Sequence, residues 1–253
     1  MLLWQAVAAH ASPLEDCDRA KDIDRRIHGC TERIRQFPRD ATAFFNRGSA
    51  YLIKGDLDRA IADYTKVIEI DPVYSPAYYH RGIAYDSSEQ YDQAITDFSK
   101  AVEINPRYGG GFDMRARIYL KTDQPTLALR DAERAVSLDP FDEKFLDTRA
   151  HVHEALGHAQ EAIADYRRVL SSNPLVKSAI EGLERLGASP TSNTPAEAGG
   201  KAGRGVKAHH YTAQARYSRE EVECERARHE DPAGYFAEYP CWAREALSCR
   251  SRR

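Results

Sequence analysis

The sequence predicts an all-α solenoid of antiparallel helix pairs, followed by a linker and a short C-terminal tail. Three observations lead there. The chain matches itself at an offset of 34 residues, each stretch holds two amphipathic runs around a turn, and each stretch closes on a proline. Pro38, Pro72, Pro106, Pro140 and Pro174 stand in register, as do Ala60, Ala94, Ala128 and Ala162. So do the bulky residues Phe44, Tyr78, Phe112 and Leu146, and the small residues Gly48, Gly82, Ala116 and Ala150. Tyr51, Tyr85 and Tyr119 recur, with His153 at the same place in the fourth copy.

Each place has a physical reason. In the first copy Phe44, Ala50 and Tyr51 form one helical stripe, and Gly48 lets a second helix approach. Lys54-Gly55-Asp56 is a turn whose aspartate suits the cap of the next helix. Ala60, Ile61, Tyr64, Val67 and Ile68 make the facing stripe. Asp71-Pro72 ends it, because a residue before proline avoids helical angles. One helix pair cannot bury its apolar face alone, so copies stack and polar ends seal the stack.

The period and these residues resemble the tetratricopeptide-repeat (TPR) family over about 22–187. The resemblance implies a superhelical solenoid within 12–187. Full copies are expected at 41–74, 75–108, 109–142 and 143–176, after a half-copy at 22–40 and before a cap helix at 177–187. Arg47, Arg81, Arg115 and Arg149 share one place on the first helix, where many family members carry an aliphatic residue. Asp63, Asp97, Asp131 and Asp165 share one place on the second. Stacked Arg–Asp pairs that fix repeat register are expected, with an anion-binding row as the alternative.

Family geometry puts the first helices on a concave groove that binds a protein or peptide. Its expected lining is Phe45, Asn46, Ser49, Leu52 and Ile53, then Tyr79, His80, Ile83 and Asp86. Further along come Asp113, Met114, Arg117, Leu120 and Lys121, then Lys144, Asp147, Thr148, His151 and Glu154. Phe45, Tyr79 and Ile83 read either as partner anchors or as side chains packed under the chain's own termini. Family members that hold chaperone C-terminal carboxylates use a lysine followed four residues later by asparagine. The matching places hold Phe45 and Ser49, Tyr79 and Ile83, Asp113 and Arg117, and Asp147 and His151, which argues against that ligand.

Met1–Ala11 is apolar and ends Ala9-His10-Ala11, the small-x-small pattern of a truncated signal segment. Its shortness and lack of a basic start count toward the alternative, an apolar N-terminus packed on the first helix. Cys30 takes the place of Tyr64 and Phe98 and should face the core, and Cys17 precedes that helix, capped by Asp22, across a connecting loop that can fold back. A Cys17–Cys30 disulfide is sterically reasonable and would contribute about 3 kcal/mol in the chain-entropy model. The other reading is a small buried Cys30 and an exposed Cys17 thiol. An early cysteine pair resembles exported alphaproteobacterial TPR proteins, which implies a periplasmic or secreted location, with the cytoplasm as alternative.

Residues 188–208 read as a flexible linker rich in small residues and proline. In the tail, 209–253, a polar helix is expected over 211–229, with Ser218 as cap, before Asp231-Pro232. The cluster Tyr235, Phe236, Tyr239, Trp242 and Leu247 could dock on the solenoid, self-associate, or await a partner. Cys224, Cys241 and Cys249 leave one thiol odd, so a self-assembling envelope protein is the alternative function. His209, His210 and His229 with these cysteines fit no zinc spacing, so no metal is expected, with a metal-binding tail a minor alternative.

Net charge is −3, with 30% charged residues, and provides no field of one sign to recruit nucleic acid. No apolar run reaches the eighteen or so residues of a transmembrane helix. Nucleophile-elbow, phosphate-loop, dinucleotide and His-Glu-x-x-His motifs are absent. Gly109-Gly110-Gly111 reads as an inter-repeat turn, and His151 and His153, two apart, point to different helix faces. A protein-binding adaptor without cofactor or catalysis is therefore expected.

Overall fold

The structure, a computed structural model, describes residues 13–190. Among these residues are eleven helices and no strand. They are α1 (Pro13–Arg19), α2 (Ile23–Gln36), α3 (Ala41–Lys54), α4 (Leu57–Ile70), α5 (Ser75–Ser87), α6 (Tyr91–Ile104), α7 (Gly109–Lys121), α8 (Pro125–Leu138), α9 (Glu143–Ala155), α10 (Ala159–Ser172) and α11 (Lys177–Arg185). The described residues divide into two units, one holding residues up to 106 with 110–128, the other holding 107–109 and residues 129–190.

Local sequence sets the helix ends. Asp22, Asp40, Asp56 and Asp142 cap their helices by accepting from the amides of Arg25, Ala43, Arg59 and both Lys144 and Phe145. Gly55 and Gly157 end α3 and α9 at φ 81° and 75°. Glu89 and Asp123 hold the same place in the middle copies at φ 58° and 56°, where a side chain is disfavoured.

In the first unit α1 packs on α2, α3 on α4 and α5 on α6, and α2 and α4 each pack on the following first helix. Tyr64 and Phe98, both fully buried, lie over Gly48 and Gly82. A Cβ at Gly82 would meet the Phe98 ring at 2.8 Å, so the close approach requires glycine. In the second unit α9 packs on α10 and α10 on α11, around Leu146, Ile163, Tyr166, Val169 and Leu183. Burying each large side chain contributes about 1.5–3 kcal/mol.

Arginine and aspartate join the pairs. Arg47 donates to Asp63 from Nε at 2.8 Å and Nη2 at 2.7 Å. Arg81 meets Asp97 at 2.7 and 2.8 Å, and Arg149 meets Asp165 at 2.7 Å through both atoms. A further guanidinium nitrogen reaches back to the preceding second helix, from Arg47 to Thr31 at 3.2 Å and from Arg81 to Thr65 at 3.0 Å. Arg115 reaches Ser99 likewise at 2.9 Å. Arg47, Arg81 and Arg115 each touch the preceding second helix, and Arg47 and Arg81 tie three helices together. Arg115 belongs to the first unit and Asp131 to the second.

Two expectations change. Cys17 lies inside α1, a helix not expected from the sequence, so α2 is preceded by a short partner helix instead of standing as a half-copy. Gly109–Gly111 opens α7 and is not a free turn. Gly109 sits against Phe145, where a Cβ would come within 2.8 Å of the ring.

Asp97 is 3% exposed, so removing its partner strands a charge. Arg81→Leu should cost roughly 3–5 kcal/mol in urea denaturation, and Arg81→Leu/Asp97→Leu should recover most of that loss. Lys100→Ala, which breaks the exposed Lys100–Glu103 pair, should leave the transition in place.

Candidate functional site

The first-helix face of the first unit is built around rings. Phe45 on α3 makes edge contacts with Tyr64, Tyr74 and His80 at centroid distances of 5.6, 5.5 and 5.1 Å. His80 on α5 stacks on Tyr64 at 5.7 Å and meets Tyr79 at 5.4 Å, and Tyr79 meets Phe98 at 5.8 Å. Ile83 and Met114 pack beside Tyr79 over the Ala94–Phe98–Ile118 cluster, and Leu52 lies over Tyr51, Ala60 and Tyr64. Second helices thus supply a floor, and first helices supply a half-buried aromatic layer above it. Ile53, one turn outward, is 63% exposed.

Polar groups edge this layer. Tyr64 donates to Ser49 Oγ at 3.1 Å, and Ser49 donates to the Phe45 carbonyl at 2.9 Å. Burial pushes the Tyr64 hydroxyl up to about 12. Asn46 donates to Asp18 Oδ1 at 3.1 Å and to the Cys17 carbonyl at 3.5 Å, so α1 closes that end. At the other end Lys121 pairs with Asp86 at 2.5 Å, and Arg117 is exposed beside Met114.

Cys17 and Cys30 form a disulfide, with sulfurs 2.13 Å apart and 1% and 0% exposure. It fastens α1 to α2 and so holds the carbonyl that Asn46 uses.

Several sequence-predicted groove residues are engaged otherwise. Asp113 and Thr148 are buried. Asp147 accepts from Ser178 at 2.9 Å, and Glu154 accepts from Arg185 at 2.7 and 2.9 Å and from Tyr166 at 2.8 Å. The hydrogen bond from Arg185 holds the Glu154 carboxyl below its usual range. The charged face of α9 is therefore occupied by α11. Sequence reasoning missed Tyr74, which walls the Phe45 site. Its only signal is an aromatic just before the helix that carries Tyr79. Among the described residues no group of three or more metal-ligating side chains occurs, and no helix is long and apolar enough to cross a membrane. The candidate signal segment, the tail helix, the aromatic cluster and the later cysteines lie outside the described residues.

A helix pair repeated every 34 residues, joined by small-residue contacts, defines a helical-repeat interaction fold. The tetratricopeptide-repeat family model matches residues 41–74 and 75–108, and a second model of that description matches 144–174. Residues 41–108 and 144–174 are thus tetratricopeptide repeats. Solved structures share the fold. MamA (41-end) from Desulfovibrio magneticus RS-1 is 20% identical with a TM-score of 0.58, over 64% of this chain and 92% of that one. YrrB, described as a TPR protein with an unusual peptide-binding site, is 26% identical with a TM-score of 0.53, over 62% and 90%. TTC0263, a thermophilic TPR protein in Thermus thermophilus, is 19% identical with a TM-score of 0.53, over 65% and 89%. No curated protein matches the chain.

His80 gives this face a pH signature. Its Nδ1 is sealed from solvent without a hydrogen-bond partner among the described residues, and burial lowers the ring from 6.5 to about 4. Between these values the unfolded chain binds the proton and the folded chain does not. Stability from this group is complete above about 6.5 and is lost as pH falls toward 4, by up to about 1.4 kcal/mol per pH unit. Urea denaturation should show that loss in the wild type below about pH 6.5, and a shallower pH slope in His80→Gln.

Proposed function

We propose that the chain is an adaptor that holds an extended or helical peptide of a protein partner against the first-helix face of α3, α5 and α7. The observation that carries this reading is the row Phe45, His80, Tyr79 and Ile83. It stays partly open after the second helices have covered its underside. Leu52 and Ile53 extend the apolar strip, and Asn46, Ser49, Lys121 and Arg117 provide polar edges for peptide backbone or charge. The peptide-binding description of YrrB supports this class of ligand. The chaperone carboxylate is disfavoured, because no lysine–asparagine pair stands on these faces. We assign no catalytic role and no cofactor.

Peptides selected against the full chain from a random library should bind Tyr79→Ala and Ile53→Asp about tenfold more weakly or worse. They should bind Phe141→Ala, on the second unit, as they bind wild type. Unchanged binding by the first two variants would place the peptide elsewhere.

The buried Cys17–Cys30 pair supports a periplasmic or secreted location, because such bonds persist in oxidising compartments. Intact mass of protein from its native cell, alkylated under denaturing conditions, should show these two thiols protected without reductant. Both alkylated without reductant would favour the cytoplasm.

A further inference from the structure

We propose that His153 and His158 form a two-histidine site for a divalent transition-metal ion, copper(II), nickel(II) or zinc(II), at the turn between α9 and α10. The argument begins with the repeat. His153 occupies the place of Tyr51, Tyr85 and Tyr119, and His158 the place of Asp56, Gln90 and Gln124. In every copy the amide of the later residue donates to the carbonyl of the earlier one, at 2.9, 2.8, 2.7 and 2.8 Å in chain order. That bond, with Gly157 donating to Glu154 at 3.0 Å and turning at φ 75°, closes the helix and sets the two places side by side. Only the fourth copy puts imidazoles at both.

The rings converge. Their Nδ1 atoms are 3.4 Å apart, with centroids at 5.6 Å and planes at 45°. Two nitrogens bound at about 2.05 Å to a tetrahedral ion stand about 3.3 Å apart, so the spacing is already that of a chelate. Without an ion the spacing suits one ring donating from Nδ1 and the other accepting, in the tautomers that allow it. A bound ion takes the Nδ1 lone pairs of both rings, and the ring that had donated carries its proton on Nε2 instead. His153 is half-buried beside the turn. Asp165 and Glu161 add negative field there; Arg149 opposes them but is paired with Asp165. The carbonyl end of α9 favours a cation and the amide end of α10 opposes it, so the helix ends roughly offset. His158 is exposed, which leaves the remaining coordination positions open to water. Imidazole donors suit these three metals, with copper(II) bound most tightly.

Copper(II) titrated into the full-length chain, with histidine ring resonances followed by NMR, tests the site. His153 and His158 should broaden together, below one equivalent and ahead of any broadening at His209, His210 or the other rings. His153→Tyr and His158→Gln restore residues found at these places in other copies. Each should keep the helical circular dichroism spectrum and weaken this binding about tenfold or more. Broadening that begins at other histidines, or either folded variant binding copper as wild type does, would overturn the proposal.

Discussion

Two helices packed as a pair have one covered face and one apolar face still open, and every other feature of this chain answers that constraint. The second helix of one copy must lie against the first helix of the next, and close approach needs small residues where rings arrive. Gly48 and Gly82 provide that room for Tyr64 and Phe98. The Arg–Asp ladder adds direction to an otherwise non-directional contact. Arg47 and Arg81 each bind an aspartate in their own pair and a hydroxyl on the preceding helix. A slip of one residue would break both and leave a carboxylate stranded in the packed layer.

The same constraint decides which faces remain for a partner. Within the first unit α2 and α4 are packed by first helices on both sides, so the side chains they turn inward are core. First helices keep one face outward. On α3 and α5 it is aromatic and half-buried, whereas on α9 the cap helix α11 has taken it through Ser178 and Arg185. The face of the first unit is therefore the better candidate for recognition, and the fourth copy contributes its turn instead.

The repeat was legible because its places are fixed by sterics that act within 34 residues: proline at the stop, alanine or glycine at the crossing, aspartate at the cap. Cys30 was readable as a core residue from its register with Tyr64 and Phe98. Seven residues, Pro13–Arg19, carry too little periodic signal to announce a helix, so α1 and the placement of Cys17 within it came only from tertiary packing. Glycines at 109–111 look like a turn by propensity, yet the copy register carries them into α7, where Phe145 fills the space beside Gly109. Asp113 and Thr148 look polar enough for a groove and are buried, because register fixed by neighbours outweighs residue type. His153 was visible as a departure from tyrosine. Its meaning depends on His158, five residues on, which only the closed turn brings beside it.

The central claim is that stability resides between copies rather than within one. Denaturation of two shorter chains, residues 41–74 and residues 13–108, followed by circular dichroism, tests it most directly. The single pair should be largely unstructured in water, and the three-pair chain should be helical with one cooperative transition. A single pair that folds by itself, or a three-pair chain without a transition, would contradict it.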